Sequence, residues 1–261
     1  MNNMKLLKYL HERNKFSRLL APVIGGFLLL SQPAWGSQPF PLTELPSEVQ
    51  EKIINFSEIK DLLNLAKVNK AYYDSVNKLV GGRTVFIKPV QLNDDTVESL
   101  KHVGDLRIRF DATANDETLR LVGKLTNLKE LVLFDTKITD AGLVHLENLK
   151  DLQVLYLGRT SISNAGLVHL KGLKNLKILS LPQPASNDAG IVDLMDLKNL
   201  EVLYLRNDWT TPLKVTDAGL MHLKGLNKLK SLVLYNMRLT PGAIDELKKA
   251  IPGLEVKLLT I

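Results

Sequence analysis

The chain has 261 residues, 45% hydrophobic and 24% charged, the balance of a folded protein and not of a disordered one. Lys5, Lys8, Arg13, Lys15 and Arg18 against Glu12 place +4 of the net charge of +6 in the first 18 residues; the +2 left for the rest is too little for a nucleic-acid surface, which needs clustered Lys and Arg on the folded part. The chain has no cysteine, which excludes disulfides, thiolate nucleophiles and cysteine-based metal sites.

Residues 1–36 read as a Sec-type export signal. A basic segment precedes the apolar run Leu19–Leu30, and Ala34-Trp35-Gly36 supplies small residues before Ser37. The run is too short to span a bilayer comfortably. Cleavage would leave a mature chain with no membrane attachment; without cleavage the same residues are a signal anchor reaching to about Trp35.

Residues 37–83 are helical by pattern and carry no repeat. Leu45-Pro46-Ser47-Glu48-Val49 puts proline in a first helical turn with Glu48 near the positive end of the helix dipole, and Ile53 and Ile54 extend an apolar face from Val49. In a second segment Leu62, Leu65, Val68 and Tyr72 share one side, and Gly81-Gly82 reads as a hinge before the next module. Read by these residues alone, the segment is an amphipathic cap over the first repeat of that module. Leu45-Pro46, Glu48, Ile53, Asp61-Leu62-Leu63, Leu65, Val68, Lys70 and Tyr72 also resemble, without a gap, the F-box motif. That resemblance implies a small all-α module that docks on a Skp-type adaptor of a cullin–RING ubiquitin ligase through Leu45, Pro46, Val49, Ile53, Leu62, Leu63, Leu65, Val68 and Tyr72. Ser57 and Tyr72 depart from the motif, which has an apolar residue and a tryptophan at those places.

Residues 84–261 form an array. Leu128-Lys-Glu-Leu131-Val-Leu133 precedes Ile138-Thr-Asp-Ala-Gly-Leu143-Val-His-Leu146, and the same phrase returns as Leu152 to Leu157 and Ile162 to Leu170, a period of 24 residues. Leu131 and Leu133 share one face of a strand, and Leu143, Leu146 and Leu149 share one side of a helix; neither face can be buried within one repeat, so neighbours must cover them. The phrase resembles the leucine-rich repeat family, which implies an α/β solenoid of about seven repeats, here without the cysteine-rich cap of many extracellular members. Asn93, Asn115, Thr139, Ser163, Asn187, Thr216 and Thr240 are N-cap residues, at intervals of 22, 24, 24, 24, 29 and 24. Strands are expected near Val85–Ile87, Leu106–Ile108, Leu131–Leu133, Leu155–Leu157, Leu179–Leu181, Leu203–Leu205 and Leu232–Leu234. A polar closing helix from Pro241 and a last edge strand over Leu254–Leu259 complete the array.

Two breaks interrupt the period. Pro182 and Pro184 lack an amide donor and should end their strand early. Five extra residues between Arg206 and Lys214 make a surface turn containing Trp209, either an interface anchor or a local plug over the ladder with Leu213. With Leu131 and Leu133 inward, strand alternation turns Glu130, Val132, Phe134, Val154, Tyr156, Val202, Tyr204, Arg206, Ser231, Val233 and Tyr235 outward, onto the concave face, with Arg107 and Arg109 toward its N-terminal end. The expected target site is therefore Arg107, Arg109, Glu130, Val132, Phe134, Tyr156, Tyr204, Arg206, Trp209 and Tyr235, an exposed aromatic and apolar row rimmed by charge. Strand propensity alone would also favour Tyr and Val there.

His145, His169 and His222 occupy one repeat position, with Asp193 in the gap. Inheritance of a repeat accounts for that column without a ligand, and no cluster supplies the four ligands of a zinc site. No phosphate loop or nucleophile elbow is present. The reading is thus of a non-enzymatic monomer that needs no metal or cofactor and binds proteins. It is either an F-box/leucine-rich repeat protein recruiting a ubiquitin ligase, or an exported binding protein whose N-terminal helices only cap the array. Export and a ubiquitin-ligase partner meet in a bacterial protein delivered to the cytosol of a eukaryotic host. If the signal is cleaved, N-terminal mass measurement on the exported protein should find Ser37, or a residue close to it, first; an intact Met1 would show an anchor.

Overall fold

The computed structural model describes residues 53–55, 84–101, 103–206 and 215–259, all within one compact unit, Leu42–Ile261. Nine strands form one parallel sheet in sequence order. They are β1 (Ile53–Asn55), β2 (Thr84–Phe86), β3 (Leu106–Arg109), β4 (Leu128–Val132), β5 (Val154–Tyr156), β6 (Ile178–Leu181), β7 (Val202–Arg206), β8 (Ser231–Tyr235) and β9 (Glu255–Leu259). Between them run α1 (Asp94–Leu100), α2 (Asp116–Val122), α3 (Asp140–Leu143), α4 (Asp188–Asp193), α5 (Asp217–Met221) and α6 (Pro241–Ala250), with a 3₁₀ segment, Asn164–Leu170, in the repeat that lacks an α-helix. A strand, a turn and a short helix per repeat, stacked in register, make this a leucine-rich repeat solenoid. Ile53, expected with Ile54 on a helix, instead begins β1, which pairs with β2 through Ile53↔Thr84 and Asn55↔Phe86. An apolar, β-branched Ile-Ile pair suits a strand as well as a helix turn, and the edge of β2 decides it.

The leucines explain why such short elements hold. Leu143, Leu146, Leu149, Leu152 and Leu155 recur every three residues and are all fully buried. The spacing follows a 3₁₀ period more closely than an α-helical one. Leu149 N–H donates to Leu146 O at 2.9 Å and Leu152 N–H to Leu149 O at 3.0 Å. Bonds of this kind eclipse residues i and i+3, so one side faces the core from helix to strand. The expected helical stripe is therefore only α-helical at its start: α3 gives way to 3₁₀ at Val144–Leu146. Ile191, Leu194, Leu197, Leu200 and Leu203, and again Leu220, Leu223, Leu226, Leu229 and Leu232, repeat the arrangement in the core. Each buried leucine contributes about 1.5–3 kcal/mol, which isolated helices of this length cannot supply from their own bonds.

Polar bonds set the spacing between repeats. All seven expected N-cap residues precede their helical segments. The aspartate that follows an N-cap reaches the N-cap of the next repeat. Asp116 accepts from Thr139 N–H (2.9 Å) and the Thr139 hydroxyl (2.6 Å). Asp140 does the same with Ser163 (2.8 and 2.6 Å), Asp188 with Thr216 (2.8 and 2.7 Å) and Asp217 with Thr240 (3.0 and 2.7 Å). The glycine three residues after Thr139, Ser163 and Thr216 leaves room for this: a Cβ on Gly142, Gly166 or Gly219 would run into the Asp116, Asp140 or Asp188 carboxylate of the preceding repeat. The Asp-Ala-Gly phrase is thus an inter-repeat clasp. Where the clasp residue is Asn164, the next N-cap, Asn187, turns its side-chain oxygen to its own Gly190 N–H. The Thr240 amide, then its hydroxyl, hold the Asp217 carboxyl below the usual carboxylate range. The Asp217–Thr240 bonds therefore stabilise the fold above the unfolded-state pKa of that carboxyl and are lost as pH falls through its lower, folded value.

The prolines do not make their strand a short one: β6 stops at Leu181, one position before β7 and β8 at Arg206 and Tyr235, but β4 and β5, without proline, stop earlier still, at Val132 and Tyr156 level with Ser180. Asp140→Ala should cost about 1–2 kcal/mol, since it removes both acceptors at the next N-cap. Gly166→Ala should destabilise the wild-type chain and cost less in the Asp140→Ala background, because the carboxylate it would strike is gone. A urea-melt double-mutant cycle measures that coupling, and strict additivity would refute the clasp.

Candidate interaction face

Strand pairing lines up the side chains that point away from the leucine core. One row runs Arg107, Glu130, Val154, Ile178, Val202, Ser231; the next runs Arg109, Val132, Tyr156, Ser180, Tyr204, Val233. The expected alternation is correct, since Leu131, Leu155, Leu179, Leu203 and Leu232 pair along the inner row. Exposure is not as expected. Arg109, Glu130, Val132, Phe134 and Tyr156, expected open to solvent, are buried, Val132 at 0%, Tyr156 at 4% and Phe134 at 8%. Rows of side chains on adjacent parallel strands sit roughly 4.8 Å apart and pack sideways on each other. Val132 lies between Arg109 and Tyr156, and Arg107 Nη1 pairs with Glu130 Oε2 at 3.2 Å while its Nη2 reaches Asp105 Oδ2 at 3.2 Å. Burial pushes the Arg109 guanidinium down to about 10 by desolvation, leaving it protonated at neutral pH.

The accessible part of the face therefore lies toward β6–β8, where Ile178, Ser180, Val202, Tyr204, Arg206 and Tyr235 are half-buried. Tyr156 and Tyr204 meet across Ser180, with ring centroids 6.4 Å apart and planes tilted by 44°. Two arginines lie over rings: Arg206 Cζ is 5.6 Å from the centroid of Tyr235, and Arg159 Cζ is 5.7 Å from that of Phe134. The second stack is built by its neighbour, because a Cβ on Gly158 would stand 2.6 Å from Phe134 Cε2. Arg159 itself has φ 55, a left-handed conformation it shares with Asp135 and Asn236, which hold matching turn positions. Sequence reasoning missed Gly158 and Arg159. The signal available was an arginine where another repeat has aspartate.

Leu45, Pro46, Val49, Leu62, Leu63, Leu65, Val68, Tyr72 and Trp209 lie outside the described residues. On the helix side, the histidine column is tied sideways: His169 Nδ1 lies 2.6 Å from Glu147 Oε1, and Lys171 Nζ lies 2.9 Å from Asp193 Oδ1, which raises the lysine pKa. Among the described residues no three or more His, Asp or Glu side chains gather as metal ligands would.

The F-box domain model matches residues 42–83. No curated protein matches the chain. Among solved structures, an internalin of Listeria monocytogenes is 23% identical, with a TM-score of 0.46 over 70% of this chain and 49% of its own. Internalin C2 of the same species is also 23% identical, with a TM-score of 0.48 over 74% of this chain and 84% of its own. A leucine-rich repeat protein of Leptospira interrogans is 20% identical, with a TM-score of 0.43 over 69% of this chain and 50% of its own. The chain thus spans about half the length of the first and third of these. The fold assignment rests on the chain's own sheet and repeats. Exposure also separates the tyrosines: Tyr156→Ala should cost about 3 kcal/mol as a buried aromatic deletion, whereas Tyr235→Ala should stay within about 1 kcal/mol. Equal losses in chemical denaturation would contradict that division.

Proposed function

We propose that this chain is a recruiter without chemistry of its own: the F-box segment engages a Skp-type adaptor of a ubiquitin ligase, and the sheet face holds the protein to be modified. The observation that carries this reading is the order of modules, an F-box match at residues 42–83 directly ahead of a repeat array. The half-buried surface of Tyr204, Arg206 and Tyr235 has the residue types that dominate protein interfaces. The signal at residues 1–36 fits the same role in one setting, a bacterial protein exported and delivered to the cytosol of a eukaryotic host.

A second reading draws on β1. Ile53–Asn55 pairs with β2 as an additional strand of the sheet, which is what a cap over the first repeat does. In that case the chain is an exported binding protein, and residues 42–83 serve stability alone.

The two readings separate on one binding assay. Purified Skp-type adaptor should be retained by the chain at micromolar concentration, and Leu45→Ala with Pro46→Ala should abolish retention while the array stays folded. Apolar anchors of this kind cost about 2 kcal/mol or more each when truncated. No retention by the wild-type chain, together with a lower melting temperature in the double variant, would leave the cap.

A further inference from the structure

The sheet has an edge whose sequence is complementary to itself. β9 is the last strand in the sheet order, and among the described residues no strand lies beyond it. Glu255 N–H donates to Lys230 O, and Leu259 O accepts from Asn236 N–H. Main-chain groups alternate sides along a strand, so Glu255, Lys257 and Leu259 turn theirs to β8, and Val256 and Leu258 turn theirs to the open edge. Val256 and Leu258 are in register with Leu232 and Leu234, on the core side, whereas Glu255 and Lys257 are in register with Ser231 and Val233, on the outer face. Leu258 is 52% exposed and Leu259 41%, the most open leucines among the described residues.

We propose that this edge pairs with the same edge of a second copy of the chain, β9 to β9 in antiparallel, in place of the monomer expected from sequence. An open edge is ordinarily protected by charge, lysine above all. Here one register removes that protection. With a two-fold axis through Val256, that residue exchanges two main-chain bonds with its counterpart, and Leu258 N–H donates to Leu254 O of the other copy. Leu254 N–H is already bonded to Ile251 O at 3.1 Å, which leaves a single bond at each of those outer positions. Glu255 faces Lys257 of the other copy, twice by symmetry, at the positions between main-chain bonds where side chains come closest. Within one chain the same two groups are 3.9 Å apart with side chains 71% and 58% exposed, a pair too weak to compete. Moving the axis to Lys257 would set lysine against lysine, so charge selects the register. On the core side Leu258 meets Leu254. α6 crosses from β8 to β9 on that side, so the two copies of α6 stand about two strand spacings apart, roughly 10 Å, the distance at which helices pack. The axis is perpendicular to the sheet and keeps both outer faces on one side, so that the half-buried Tyr204, Arg206 and Tyr235 of each copy flank the junction.

Sedimentation equilibrium of the full chain should show a concentration-dependent species of twice 29.2 kDa, forming between the micromolar range and roughly 100 µM as suits a small interface. Val256→Pro removes the donor at the axis and leaves the bonds to β8, because that N–H points outward; this variant should melt close to wild type and stay monomeric. Lys257→Glu and Glu255→Lys should each weaken the dimer roughly tenfold, since two attractive contacts become repulsive. Mixed in equal amounts, the two charge variants should recover a dimer, because each glutamate again meets a lysine; a purely structural role for either residue would not respond to mixing. The mixing result decides even where Val256→Pro lowers the melting temperature. A wild-type chain that stays monomeric throughout would overturn the proposal. So would a dimer that survives Val256→Pro, or one indifferent to both charge reversals, since the contact then lies elsewhere. Loss of the dimer in both charge variants without recovery on mixing would overturn the register and the two-fold pairing with it.

Discussion

Most of this array depends on an apolar side chain, usually leucine, returning to the same side every three residues. Helices of one or two turns and strands of three to five residues have too few internal bonds to persist alone. The tight i→i+3 bonds from Leu146 through Leu152, and from Ile191 through Leu200, keep the inward side constant while the chain changes from helix to strand. Burial of that column supplies the stability, and the aspartate clasp fixes the distance and rotation from one repeat to the next. The two terms divide the labour: the leucines are indifferent to small sliding, and the clasp is not, because a carboxylate bonded to both an amide and a hydroxyl tolerates little displacement.

Much of this was legible in the residues. Period, strand positions, N-caps and inward leucines come from spacing that recurs, and a repeated pattern averages out local ambiguity. What escaped was whatever depends on a neighbour's side chain. The clasp pairs Asp140 with Ser163 across 23 positions, a relation that strand or helix periodicity does not encode. The burial of Val132 and Tyr156 arises from lateral packing between rows, whereas alternation only gives direction. Ile53 and Ile54 failed for another reason: two β-branched residues carry both a helical and a strand reading, and the partner edge at β2 chose between them. Arg159 was invisible because its importance lies in a backbone angle and in the glycine before it.

The face that results is graded. Toward β3 it is closed and internally neutralised, with Arg107 shared between Asp105 and Glu130. Toward β7 and β8 it offers aromatic surface and oriented guanidinium groups. A protein partner on this face would therefore gain most of its contact energy at the β7–β8 end of the array, whereas the F-box match, residues 42–83, comes before β2 in the chain.

The clasp also bears on contour length. Asp116, Asp140 and Asp217 reach N-caps 23 positions on, whereas Asp188 reaches Thr216 28 positions on, with the same pair of bonds at nearly the same distances. Five additional residues thus enter between two fixed anchor points without shifting the pairing of Val202 with Ser231 or Arg206 with Tyr235. The stretch of sequence between Arg206 and Val215 is in effect a splice point, and an epitope, a protease site or a reporter grafted there would be carried by the array without disturbing its register.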